Sequence, residues 1–207
     1  MKILASVIIG YLIGCVNPAA IISKRKNVNL KQEGTGNLGA TNTAYVMGRG
    51  AGITVLIADI MKSVLSAKLV KLLFPQTLCV GMIACIGCIL GHCFPIFMGF
   101  HGGKGLAAFA GMVLEYNLWF ALPIVIPGLL LIFILNTGVA APAWGCAMFP
   151  ILVACYHGST TEIILATTAS TFIAWMHRDN LRKALARADT ISTKKFLMKI
   201  FKKNAAP

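Results

Sequence analysis

From Gly105 to His177 the chain runs 73 residues without a single Lys or Arg. The other positions carry all nineteen of these residues, against only six acids, and the net charge is +13. A soluble domain carries roughly a quarter charged residues, whereas here 12% are charged and 57% are hydrophobic. Mean hydropathy is +0.79. A basic balance on a soluble face points to nucleic acid, but a gap of this length leaves no such face. No nucleic-acid partner is expected. The chain must be read as one that crosses a bilayer.

A spanning helix needs about 20 mostly apolar residues. Candidates are 3–23, 51–74, 77–93, 106–114, 118–136, 139–156 and 163–176. The fourth is short unless it begins at the glycines before it. Lipid offers no hydrogen-bond partners, so each span should be helical. The expected fold is therefore an all-α integral membrane protein with about seven transmembrane helices. Met1–Ser23 is read as the first span rather than a signal peptide, because no small-residue cleavage site is evident.

Basic residues in short loops set orientation. Lys24, Arg25, Lys26, Lys31 and Arg49 lie in the segment 24–50, and nine more follow from Arg178 onward. Seven spans put both segments, and the 94–104 loop, on one side. That side is expected to be cytoplasmic, with the N-terminus outside and the C-terminus cytoplasmic. Residues 1–190 are expected to form one polytopic membrane domain. The remainder, 191–207, is a basic tail, either amphipathic on anionic headgroups or solvated.

Two glycine-rich stretches interrupt the apolar chain on that side: EGTGNLGATN at 33–42 and GHCFPIFMGFHGGKG at 91–105. Gly34, Gly36 and Gly39 spell a dinucleotide fingerprint by letters, but the flanks lack the βαβ unit it requires. Gly102, Gly103, Lys104 and Gly105 lack the Ser or Thr that follows the lysine of a P-loop. Glycine amides can still form a concave nest, and Lys104 adds charge, so a phosphate site is one reading. A tight interhelical loop is the other.

Asp59 and Lys62 lie three residues apart inside a span, where ionisable groups face an interior and pair. A structural ion pair is the favoured reading. His177 and Asn180 stand one helical turn apart where the last span ends, placed either to address one substrate or to form an interfacial polar collar. Seven cysteines lie in or beside spans. Cys85, Cys88 and His92 share a helix face, but no second cluster supports zinc, and no metal is expected.

Taken in order, EGTGNLGATN, GHCFPIFMGFHGGKG and HRDNLRKALARAD, with Asp59-x-x-Lys62, resemble the acyl-phosphate:glycerol-3-phosphate acyltransferases of bacterial phospholipid synthesis. The likeness runs from about residue 9 to 189. It implies an enzyme that moves an acyl group from acyl-phosphate to the 1-hydroxyl of glycerol 3-phosphate at the cytoplasmic face, giving lysophosphatidic acid without cofactor or metal. A multi-pass protein of the cell membrane, monomeric, with the bilayer as its other partner, is expected.

The resemblance also implies roles. Thr35, Lys104, His177 and Asn180 are the catalytic candidates. Gly34, Gly36, Asn37, Asn42, His92, His101, Gly102, Gly103 and Gly105 are expected to bind substrate, and Asp59, Lys62 and Asp189 to be structural. Departures from the family pattern fall near the site. Thr35 stands for a Ser, Tyr45 for an Arg, His101 for a Lys and Ala108 for a Thr. Asn136, Val139 and Pro142 lie where an Arg and two serines are usual. Losing Arg forfeits a bidentate phosphate contact. A divergent paralogue with altered substrate or no catalysis, and a small membrane carrier for a phosphorylated metabolite, therefore stand as alternatives.

Overall fold

The computed structural model describes residues 1–186, and Asp189 and the tail at 191–207 lie outside them. The described residues contain helices and no strand. Three helical stretches, Lys2–Arg25, Val80–Met98 and Leu118–Leu135, are long and apolar enough to cross a membrane. The chain divides into two units, the first reaching Met112 and the second beginning at Val113.

In the first unit the expected span 3–23 is broken. α1 (Lys2–Gly14) ends before Asn17, and α2 (Pro18–Arg25) begins after it. Pro18 has no N–H to continue a helix and pushes the residue before it into extended backbone; Asn17 sits at φ −111°, ψ 101°. Asn17 Oδ1 then caps α2 by accepting from the Ala20 N–H at 2.9 Å. The segment 24–50, expected as loop, contains a further helix, α3 (Ala40–Met47), which turns at Gly48 into α4 (Arg49–Leu73). α5 (Val80–Cys93) follows, and α6 (Leu106–Tyr116) begins in this unit and runs past its end.

α1 and α5 pack backbone to backbone. A Cβ at Gly10 or Gly14 would overlap the carbonyls of Ala84 or Cys88, and one at Gly87 or Gly91 would overlap those of Val7 or Tyr11. The pairs ascend together, so the helices run parallel. Small residues four apart on both partners are what lets helices close without a hydrophobic driving force in lipid. Tyr11 Oη also donates to the Phe94 carbonyl at 2.8 Å, tying the end of α5 to α1.

The second unit comprises α7 (Ala121–Leu135), α8 (Ala140–Cys155), α9 (Thr160–Met176) and α10 (Arg178–Leu185). Pro127 inside α7 leaves the Pro123 carbonyl without its helical donor. Trp144 of α8 supplies one, Nε1–H to that oxygen at 2.9 Å. α9 opens with a capping box between Ser159 and Glu162, and α10 continues from it through His177.

Candidate active site

In the first unit the EGTG segment is shaped by one side chain. Gly34 and Gly36 have φ of 63° and 72°, a region open to glycine. Asn42 on α3, fully buried, holds the turn from inside. Its Oδ1 accepts from the Thr35 N–H at 2.7 Å, and its Nδ2 donates to the Leu30 and Glu33 carbonyls, each at 3.0 Å. Asn42 was expected to touch substrate. In this structure both its donors are spent on backbone, and it shapes the loop from inside. The loop's own residues, Gly34 to Gly36, are exposed, Thr35 among them. Tyr45, in the usual Arg position, lies against Gly34: a Cβ there would come within 3.0 Å of the ring.

The second glycine segment folds back on the end of α5. The Gly102 N–H donates to the Cys93 carbonyl at 3.0 Å and the Gly103 N–H to the His92 carbonyl at 3.1 Å. These are carbonyls a helix end leaves over. Two amides that a phosphate nest would use are therefore committed to the fold, and charge at this loop comes from Lys104. His101 is exposed and its Nδ1 turns back to the Gly99 carbonyl of the same loop. Gly105, with φ 80°, makes the turn into α6.

The two glycine segments meet. A Cβ at Gly103 would stand 2.8 Å from the Leu38 carbonyl, in the first segment, and would overlap Nε2 of His92. Asn17 at the α1–α2 break reaches the same Leu38 carbonyl through Nδ2 at 3.4 Å. Asn37, beside Leu38, is half-buried. The sequence placed Asp59 and Lys62 in a pair, and they form one at 2.7 Å. The pair extends to His92, whose Nδ1 is 2.9 Å from Lys62 Nζ and 3.3 Å from Asp59 Oδ1. Lys62 also donates to the Val16 and Gly14 carbonyls, at 2.8 and 3.2 Å. All three side chains are buried. That His92 joins the pair was not legible, since thirty residues separate it from Lys62.

In the second unit His177 is the joint between α9 and α10, with φ −100° and ψ 2°. It is buried, and its Nδ1 donates to the Ile173 carbonyl at 2.9 Å, which fixes the ring on α9. Asn180 sits half-buried in the first turn of α10. Arg178 stacks its guanidinium 4.3 Å from the Trp175 ring centre and donates to the Trp175 carbonyl, a basic anchor at the helix joint. Asn136 ends α7 in left-handed backbone at φ 51°, Val139 leads into α8, and Pro142 is buried in it. Among the described residues no group of three His, Cys, Asp or Glu is arranged to hold a metal.

Comparison with known proteins shows the family and the fold. The model of a family described as glycerol-3-phosphate acyltransferase matches residues 4–187. The glycerol-3-phosphate acyltransferase of Lactiplantibacillus plantarum is 37% identical over 191 residues, covering 88% of this chain and 88% of the relative. That of a Thermoanaerobacter species is 32% identical over 191 residues, covering 92% and 96%. Two crystal structures of PlsY (YgiH), an integral membrane glycerol 3-phosphate acyltransferase, share the fold. The glycerol 3-phosphate form superposes with a TM-score of 0.82 at 27% identity, covering 90% of this chain and 93% of that one. The lysophosphatidic acid form gives 0.85 at 26% identity, covering 96% and 100%.

Proposed function

The chain belongs to the glycerol-3-phosphate acyltransferase family, and from that premise we propose that an acyl-phosphate is the donor and the 1-hydroxyl of sn-glycerol 3-phosphate the acceptor. It is an integral membrane enzyme that acylates glycerol 3-phosphate to lysophosphatidic acid. The acceptor oxygen forms a bond to the acyl carbonyl carbon, the carbon–oxygen bond to phosphate breaks, and the hydroxyl proton ends on the phosphate released. An acyl-phosphate is already activated, so the protein has to align two anions and stabilise developing charge. No nucleophilic side chain is required.

The observation that carries this reading is the meeting of the two glycine segments at Leu38 and Gly103, with Lys104 following directly. Lys104 holds the acceptor phosphate in it, with Gly102, Gly103 and Gly105 shaping the loop around the ligand. Thr35 and Asn37 line the first segment, and in the second unit His177 and Asn180 are the catalytic candidates that the family resemblance implies. Asp189 is structural. Seven spans, an outside N-terminus, a cytoplasmic site, a single acyltransferase domain over 1–190 and a monomeric state belong to the same proposal.

Phosphate release from palmitoyl-phosphate by the purified protein tests it, measured with and without glycerol 3-phosphate. Acceptor-dependent release should fall by about 100-fold in Lys104→Ala and in His177→Ala, the scale of losing one transition-state donor. Tyr45 against Gly34 favours one alternative, a changed acceptor. Release that depends on another polyol phosphate, and not on glycerol 3-phosphate, would establish it. No release above the two variants would overturn catalysis altogether.

A further inference from the structure

We propose that Asp59 and Lys62 are positioning residues that hold His92 with its ring proton on Nε2, so that the ring presents a fixed N–H donor at the glycine loop to the phosphate of glycerol 3-phosphate. This rests on the acceptor site assigned above to the same loop.

The geometry runs outward from the lysine. An ammonium group can only donate. Lys62 Nζ lies 2.9 Å from His92 Nδ1, closer than Asp59 Oδ1 at 3.3 Å, so on the shorter contact Nδ1 accepts from the ammonium. The ring proton then sits on Nε2. Asp59 Oδ1, at 2.7 Å, and the Val16 carbonyl, at 2.8 Å, aim the ammonium and compensate its charge. Nε2 lies on the opposite side of the ring, against Gly103. The space of a Cβ at Gly103 is filled by that nitrogen. The His92 side chain is 3% exposed, and its hydrogen bond to Lys62 runs through Nδ1, leaving Nε2 on the face toward the loop. An N–H turned toward the loop can donate to an incoming acceptor. A phosphate oxygen held by Lys104, the next residue after Gly103, is such an acceptor.

A merely structural role would hold α1, α4 and α5 together and make no demand on the tautomer. Two kinds of measurement separate the roles. The chain has four histidines, and imidazole 15N NMR of the full, 15N-histidine-labelled protein reports which nitrogen of each is protonated. His92→Gln identifies the His92 signals by their loss. The proton should be on Nε2, and sn-glycerol 3-phosphate should shift that resonance. In the double variant Asp59→Asn/Lys62→Met, which leaves no unpaired buried charge, the tautomer preference should relax and the shift on ligand addition should weaken.

Kinetics supply the second readout. Gln carries its amide nitrogen near the place of Nε2 and Asn near that of Nδ1. His92→Gln should keep KM for glycerol 3-phosphate within about threefold, while His92→Asn should raise it by about tenfold, the worth of one hydrogen bond to a charged group. A ring proton on Nδ1, or an Nε2 resonance indifferent to glycerol 3-phosphate, would overturn the proposal. So would equal KM in the Gln and Asn variants. An inactive wild type would instead count against the acyltransferase reading, and the NMR tautomer and titration would still decide this one.

Discussion

Asn42, expected at the substrate, has its side chain occupied by the loop it shapes. Its side chain makes three hydrogen bonds to backbone, two of them from its only donors. Asn42→Leu leaves a buried amide and two carbonyls unpaired, and each such group costs about 1–3 kcal/mol. The unfolding midpoint in detergent should drop well below wild type, and activity should fall with the loop's shape. Asn42→Asp keeps the acceptor for Thr35 but loses both donors, and should lie between the two. At Gly103 the cause is crowding instead. Gly103→Ala pushes against buried His92 and the Leu38 carbonyl of the first segment, so activity should be lost and the midpoint should fall as well, because the clash reaches beyond the loop. What sequence alone conveyed at this scale was the identity of the polar residues, and for Asp59 and Lys62 their pairing, because three residues on a helix is a fixed distance. It could not separate Asn42, which holds the loop, from Thr35, which the loop displays. That distinction depends on which way a side chain faces across a turn built from left-handed glycines.

Among the described residues hydropathy located the long apolar helices, while α3 went unread and helix ends needed local chemistry. The break between α1 and α2 was signalled by Asn17-Pro18, a capping residue followed by a proline suited to the first helical position, yet an apolar count reads through it. The parallel seam of α1 and α5 was also written in the chain, as Gly10 with Gly14 and Gly87 with Gly91, each pair spaced for helix contact in lipid. The partnership between the two pairs needed the fold. Gly91→Leu should disrupt this seam, since a Cβ alone overlaps the Tyr11 carbonyl. A lower midpoint and loss of monodisperse protein on size exclusion are expected. Tyr11→Phe at the same seam removes only the hydrogen bond to Phe94 and should cost about 1 kcal/mol. At the start of α9, Ser159→Ala removes the capping box and should cost a similar amount, without effect on catalysis.

Across the molecule, charge distribution carried the membrane assignment, and the orientation we propose can be read chemically. In a background with native cysteines replaced, a cysteine at position 2 should react with an impermeant maleimide in intact cells. One at position 101 should react only after the cells are opened. The reverse pattern would invert the topology and move the site to the outer face. α4 adds a consequence for biogenesis. It is not among the helices apolar enough to cross a membrane, and it carries Asp59 and Lys62 at its buried centre. Those charges are compensated partly by the carbonyls of Gly14 and Val16, which exist as free acceptors only because α1 stops there. The ribosome makes that broken helix first. In the topology we propose, α4 therefore enters the bilayer at reasonable cost only with the first hairpin partner already in place, and a substitution that heals the break, such as Asn17→Ala with Pro18→Ala, should show up as failed insertion of a helix whose synthesis follows that of the break.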